Sequence, residues 1–166
     1  MFWKKNKNKD VEAESKSTDY TGFLFIQSIE VSDRYYQGLQ INNSTHPLIK
    51  DKEDHWYFYF SIASAMTGLF ELKEDYEEKY IKIMERIDNW DPQGVAAAED
   101  FNAFISNYLN KTNRDLGSLH LPITQWLYYN VKESTDFVED EIEPFAIAGK
   151  LITDNFYGWF SKNQLK

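Results

Sequence analysis

The sequence predicts an all-α protein: a single compact bundle of five or six helices around a strongly apolar central helix near residues 54–71. Three observations carry that expectation. Apolar residues recur at spacings of three and four over several long windows, the period of one helix face. Only 7 Gly and 4 Pro occur in 166 residues, too few for the turns that a sandwich or barrel demands. The aromatic share of 17%, with 5 Trp, 11 Tyr and 12 Phe, supplies the bulk of a core and runs against disorder. The length is that of one domain. No repeat or composition break separates two cores, so the helical domain is expected over 19–166. Ahead of it, residues 1–18 read as a flexible lead-in, basic at first and then mixed in charge.

The first helix is expected to start at Thr18 or Asp19 and to run to about Leu39. Leu24, Ser28, Val31, Tyr35 and Leu39 share one face, flanked by Phe25, Ile29 and Tyr36. The polar stretch up to His46-Pro47 ends it as a loop. In the second helix Asp51 or Asp54 is the expected cap, and the following run, Trp56 to Phe70, is apolar on nearly every side. Such a helix belongs at the centre of a bundle and should be the most buried. Its small residues Ser61, Ser64 and Gly68, at spacings of three and four, would let another helix approach closely.

The third helix is expected over Lys73–Trp90, with Tyr76, Tyr80, Ile83, Ile87 and Trp90 as its apolar stripe. Its acidic first turn suits the helix dipole, and Asp75–Lys79 and Glu78–Lys82 are spaced for ion pairs. Asp91-Pro92 reads as an N-cap and first-position proline of a fourth helix ending near Lys111, with Ala98, Phe101, Ile105 and Tyr108 inward. After a loop, a fifth helix opens at Pro122 and turns Ile123, Trp126, Leu127 and Val131 to the core. The last begins near Glu143-Pro144, where a proline costs least, and carries Phe145, Gly149, Ile152, Phe156 and Trp159.

The charge balance is 18 basic residues against 27 acidic, a net of −9. Lys4, Lys5, Lys7 and Lys9 stand in a leading segment with no acid. Without those four lysines the count is 14 against 27, a net of −13. A body this acidic repels a phosphate backbone, which argues against nucleic-acid binding, and it suits a partner with a basic surface. The absence of cysteine excludes disulfides, thiol catalysis, thiolate zinc sites and iron–sulfur clusters, and fits a reducing compartment. The leading residues lack the apolar run of a secretion signal. Trp56–Phe70 is too short to span a bilayer and is interrupted by Ser61, Ser64 and Thr67. A cytoplasmic location is expected. Phe2 and Trp3 beside the lysines would support only weak attachment to an anionic membrane, so membrane contact by residues 1–9 is not expected. Fifteen lysines to three arginines match the coding bias of an AT-rich bacterial genome.

No motif for chemistry emerges. The histidines are His46, His55 and His120, and the residues three before them are Asn43, Lys52 and Gly117, not the Glu of a di-iron bundle. A site joining His55 and His120 to distant carboxylates is the remaining metal possibility. Ser61 and Ser64 lie mid-helix without an adjacent base, and the dispersed glycines form no phosphate loop. Catalytic, cofactor-binding and metal-binding residues are therefore not assigned. The acidic segment Glu133, Asp136, Glu139, Asp140, Glu141 and Glu143 is the candidate docking surface for a basic partner, beside the plainer reading of solvated surface. It lacks the spacing of a calcium-binding loop. The adjacent pairs Tyr35–Tyr36 and Tyr128–Tyr129 place one ring of each toward solvent, where tyrosine anchors interfaces. These features point to a non-enzymatic interaction domain of the adaptor or inhibitor kind. The alternative is a helical protein binding a small molecule or metal, or an enzyme, with its site inside the bundle.

Overall fold

A computed structural model describes residues 19–43, 45–72, 74–112 and 116–163. Among these residues the chain forms seven α-helices and no strand: α1 Tyr20–Asn43, α2 Glu53–Gly68, α3 Tyr76–Trp90, α4 Gly94–Thr112, α5 His120–Lys132, α6 Glu143–Phe156 and the single turn α7 Trp159–Lys162. The all-helical bundle is as expected. The lead-in over 1–18, with Phe2, Trp3 and its lysines, lies outside the described residues. No described helix is long and apolar enough to cross a membrane.

The central helix is α2, which packs on α1, α4, α5 and α6 and more lightly on α3. Every residue from Phe60 to Leu69 is buried, which accounts for apolar side chains on all its faces. Its entry is pinned by two aromatic side chains. The Trp56 indole N–H donates to the Leu48 carbonyl and the Tyr36 hydroxyl donates to the Ile49 carbonyl, both at 2.7 Å. Leu48 and Ile49 are buried beneath them, so residues 45–52 form a packed corner leading into α2.

Helix ends differ from the sequence expectation wherever a local backbone turn outranks the pattern. Asp19 does cap α1, accepting from the Thr21 amide, but the helix continues past Leu39 to Asn43. Neither Asp51 nor Asp54 caps α2. Asp51 takes a left-handed conformation (φ 60°), Lys52 precedes the helix without capping it, and Asp54 lies inside the first turn. A left-handed Asp75 (φ 57°) delays α3 to Tyr76, while Lys73 lies outside the described residues. The Asp75–Lys79 and Glu78–Lys82 pairs both form. Tyr76 is exposed, and Tyr80 and Trp90 are half-buried, because α3 sits at the bundle's edge on α1 and α4. Asp91-Pro92 does not open α4. Asp91 ends α3 in an extended conformation and makes a turn, its Oδ1 accepting from the Gln93 amide at 2.9 Å and its carbonyl from the Gly94 amide at 2.8 Å. α5 begins at His120, two residues before Pro122, since proline is tolerated within a first turn. Trp159 is buried as expected, but Gly158 (φ 65°) breaks the last helix and delivers it from α7.

α1 and α2 meet along a seam of small residues. Ser32 donates to the Tyr57 carbonyl at 3.2 Å, and a Cβ on Gly68 would lie 2.5 Å from Leu24 Cδ1. Between those points helical spacing places Ser61 and Ser64 on the α2 side, so the small strip does serve close approach. Ser61, Ser64 and Thr67 are buried, yet their hydroxyls find no hydrogen-bond partner among the described residues. A buried unpaired hydroxyl is destabilising by about 1–3 kcal/mol. Ser64→Ala is therefore expected to leave stability unchanged or to raise it by up to about 1 kcal/mol, read as a urea midpoint. A loss larger than that would mean the hydroxyl is paired in solution.

Candidate functional site

The burial of α2 stops short of its amino-terminal turns. Successive residues of a helix point about 100° apart, so the run Trp56-Tyr57-Phe58-Tyr59-Phe60 cannot turn every ring to one core. Trp56 and Phe60 are buried, and Tyr57, Phe58 and Tyr59 are half-exposed. Trp90, at the end of α3, packs beside them and is backed from α1 by Phe25, whose ring lies 5.7 Å away at 75°. The result is a cleft of about 440 Å³ lined by Asp54, His55, Tyr57, Phe58, Tyr59, Trp90, Asp91 and Gln93.

The rings of Phe58 and Trp90 are near-parallel, 5.7 Å apart at 19°. Tyr59 stands perpendicular to Phe58 at 5.0 Å, and Tyr57 meets Trp90 at 60° and 5.8 Å. The cleft is thus lined by four aromatic rings, two of them stacked on each other, together with Asp54 and Asp91. Burial raises the Tyr59 phenol above its ordinary value, and the negative charges of Glu133 and Asp100 push it further in the same direction. The tyrosine stays neutral.

Two neighbouring concavities are also lined by carboxylates. One lies between α1 and α2 and is lined by Ile29, Glu30, Asp33, Glu53, Asp54 and Tyr57, sharing Asp54 and Tyr57 with the cleft. The other lies between α3 and α4 and carries Glu85, Asp88 and Glu99. Together the three linings hold eight different carboxylates and no lysine or arginine. No protein-family model, curated protein or solved structure matches the chain.

The acidic segment after α5 is divided by the fold. Glu133 adopts a left-handed conformation (φ 60°) at the end of α5 and reaches back to α2, accepting from Lys52 at 2.7 Å and lying 3.3 Å from His55 Nε2. Glu141 accepts from Lys132 at 2.7 Å and from the Tyr128 hydroxyl at 2.8 Å. Hydrogen bonds from Lys52 and His55 hold the Glu133 carboxyl below the usual carboxylate range, and those from Lys132 and Tyr128 do the same for Glu141. Asp136, Glu139, Asp140 and Glu143 remain exposed, and none of the ion pairs among the described residues includes them. Phe137, 55% exposed, and Val138 stand among them. Of the tyrosine pairs, Tyr36 and Tyr128 are the buried members and Tyr35 and Tyr129 the half-buried ones.

The buried Tyr128 hydroxyl anchors this segment by accepting from the Val138 amide at 2.9 Å and donating to Glu141. Because the Glu141 carboxyl is depressed, its contribution to stability is full above the ordinary carboxylate range and is lost as pH falls through the depressed value. Glu141→Gln should therefore melt below the parent at pH 7, and the gap should close as the solution is acidified below about pH 4. A gap constant with pH would show that the charge on Glu141 is immaterial.

The histidines do not assemble a centre. The His46 Nδ1 accepts from the Leu48 amide, His55 faces Glu133, and His120 opens α5 as a helical residue, not in a loop as expected. Among the described residues, no three of His, Asp and Glu converge in an arrangement fit for a metal. Sequence reasoning missed the aromatic cleft. The signal was present in the five consecutive aromatics from Trp56 to Phe60, more rings than one helix face can bury.

Proposed function

We propose that the chain is a non-enzymatic interaction domain that binds a partner protein with a basic surface, and that it does so through the α2–α3 cleft and its acidic flanks. One observation carries the reading: the α2–α3 cleft and two concavities near it are lined by carboxylates and by no lysine or arginine, and the cleft itself is lined by four aromatic rings. Complementary charge speeds encounter and selects the partner, and aromatic side chains in a partly dry recess supply the anchoring energy. The exposed acids after α5 are a second negative surface, and they contribute steering alone.

The test compares charge reversals at the two surfaces. Binding of a lysine- and arginine-rich peptide to the full chain is measured by calorimetry at low and physiological salt. Reversing Asp54 and Asp91 to lysine should weaken binding more than about tenfold, or about 1.4 kcal/mol. Reversing Glu139 and Asp140 should weaken it far less. Equal losses at the two surfaces would reduce the attraction to net charge and sink the reading.

The size of the cleft favours a second reading, a small-molecule-binding protein. About 440 Å³ falls within the range of ligand pockets, and a lining of aromatic rings and carboxylates suits an organic cation. Thermal-shift screening with small amines and quaternary ammonium ions tests it; no shift with any of them counts against it.

A further inference from the structure

We infer that the cleft between α2 and α3 is the receiving pocket for an arginine side chain of the partner. The inference rests on the interaction reading above and narrows it to one residue type. Three features of the cleft lead there. The first is its aromatic lining. Phe58 and Trp90 stack on each other, Tyr57 and Tyr59 stand at steep angles to them, and all four rings are half-exposed. A flat, weakly hydrated guanidinium lies against exposed ring surface with little desolvation cost, whereas a compact ammonium gives up a tightly held hydration shell to do so.

The second feature is the pair of carboxylates in the same lining. Asp54 and Asp91 approach from different elements, the first turn of α2 and the end of α3. Asp91 uses Oδ1 to accept from the Gln93 amide, which orients the side chain. A guanidinium presents several N–H donors in a rigid fork and can serve carboxylates on two sides while its face rests on the ring. The third feature is that nearby cations of the chain are already engaged. Lys52 is held by Glu133, and Arg86, one turn before Trp90 on α3, is held by Asp19. None of the ion pairs among the described residues involves Asp54 or Asp91, so neither carboxylate is neutralised by a described lysine or arginine.

The experiment uses the full chain and three Gly-Ser peptides of equal length, carrying three arginines, three lysines or three citrullines. Affinities are read by calorimetry at one fixed salt concentration. The arginine peptide should bind about tenfold more tightly than the lysine peptide, and the citrulline peptide should not bind measurably. Phe58→Leu, which keeps an apolar side chain and removes the ring, should bring arginine down to the level of lysine. Asp91→Asn, which retains the acceptor for the Gln93 amide, should weaken the arginine peptide more than the lysine peptide. Circular dichroism melts confirm that both variants are folded. Equal affinity for arginine and lysine in the parent chain overturns the arginine assignment and leaves the basic-partner reading standing. Failure of both peptides to bind overturns both. A further variant carries Lys4→Ser, Lys5→Ser, Lys7→Ser and Lys9→Ser. If it binds the arginine peptide more than tenfold more tightly than the parent, the chain's own leading segment occupies the cleft, and the assignment to a partner's arginine falls.

Discussion

Trp56→Ala is expected to destabilise the protein by about 3–5 kcal/mol, the largest loss from any single side chain considered. Trp56 is 1% exposed and stacks on Phe145 of α6, with ring centres 4.5 Å apart at 21°. The Tyr35 ring of α1 lies 5.9 Å away on another side. Its indole N–H is bound to the Leu48 carbonyl in the corner before α2. Truncation would leave a cavity where three helices meet and strip a carbonyl of its donor, so packing and hydrogen-bond losses add. Domains are stable by only about 5–15 kcal/mol, so the variant should show a sharply lowered denaturant midpoint or fail to accumulate folded. Trp56→Phe separates the two contributions: it keeps a ring against Phe145 and loses the donor, and should cost about 1–3 kcal/mol. Loss of less than about 1 kcal/mol in the alanine variant would contradict the placement of Trp56.

Gly149→Ala is expected to cost about 1–3 kcal/mol although it adds one methyl group to a helix. A Cβ at 149 would stand 2.3 Å from Thr124 Oγ1, 2.7 Å from the His120 carbonyl oxygen and 3.1 Å from the Thr124 amide. Two of those three atoms are backbone, so α5 and α6 must separate to admit it. The clash is not relieved by shortening Thr124. The double variant Thr124→Ala with Gly149→Ala should remain clearly less stable than Thr124→Ala alone. Gly38 is the control: it is also helical, and nothing lies within 4 Å of its added Cβ. Gly38→Ala should gain about 0.5–1 kcal/mol from helix propensity. Opposite signs at the two positions in one denaturation series would establish the tight α5–α6 contact. Equal signs would refute it.

Much of the bundle was legible because burial follows helical period. Phe101 and Ile105, Ile123 and Trp126, and Phe145 and Ile152 all enter the core on the spacings that announce them. Helix ends were less legible, for a particular reason. The non-glycine residues with positive φ among those described are Asp51, Glu71, Asp75 and Glu133. Acidic side chains there resemble caps or solvated surface in a sequence, and nothing local distinguishes a residue that ends a helix from one that starts it. Glu71 and Glu133 show what holds them. Glu71 accepts from the Tyr157 hydroxyl at 2.6 Å, and Glu133 from Lys52, partners 86 and 81 residues away.

The acidic segment after α5 illustrates the same limit at the candidate site. In sequence its six carboxylates form one cluster. In space Glu133 and Glu141 are consumed by Lys52, His55 and Lys132, while Asp54 and Asp91, far apart in sequence, come to line one cleft. What the sequence by itself determined is therefore local and periodic: the helical class, the sidedness of each helix, the central position of α2 and the acidity of the body. Which acids are neutralised, and which rings of the Trp56–Phe60 run stay open to solvent, was decided only by the tertiary structure. A charge is cancelled, or a ring covered, by whatever stands within a few ångströms, and packing brings that neighbour from a distant part of the chain.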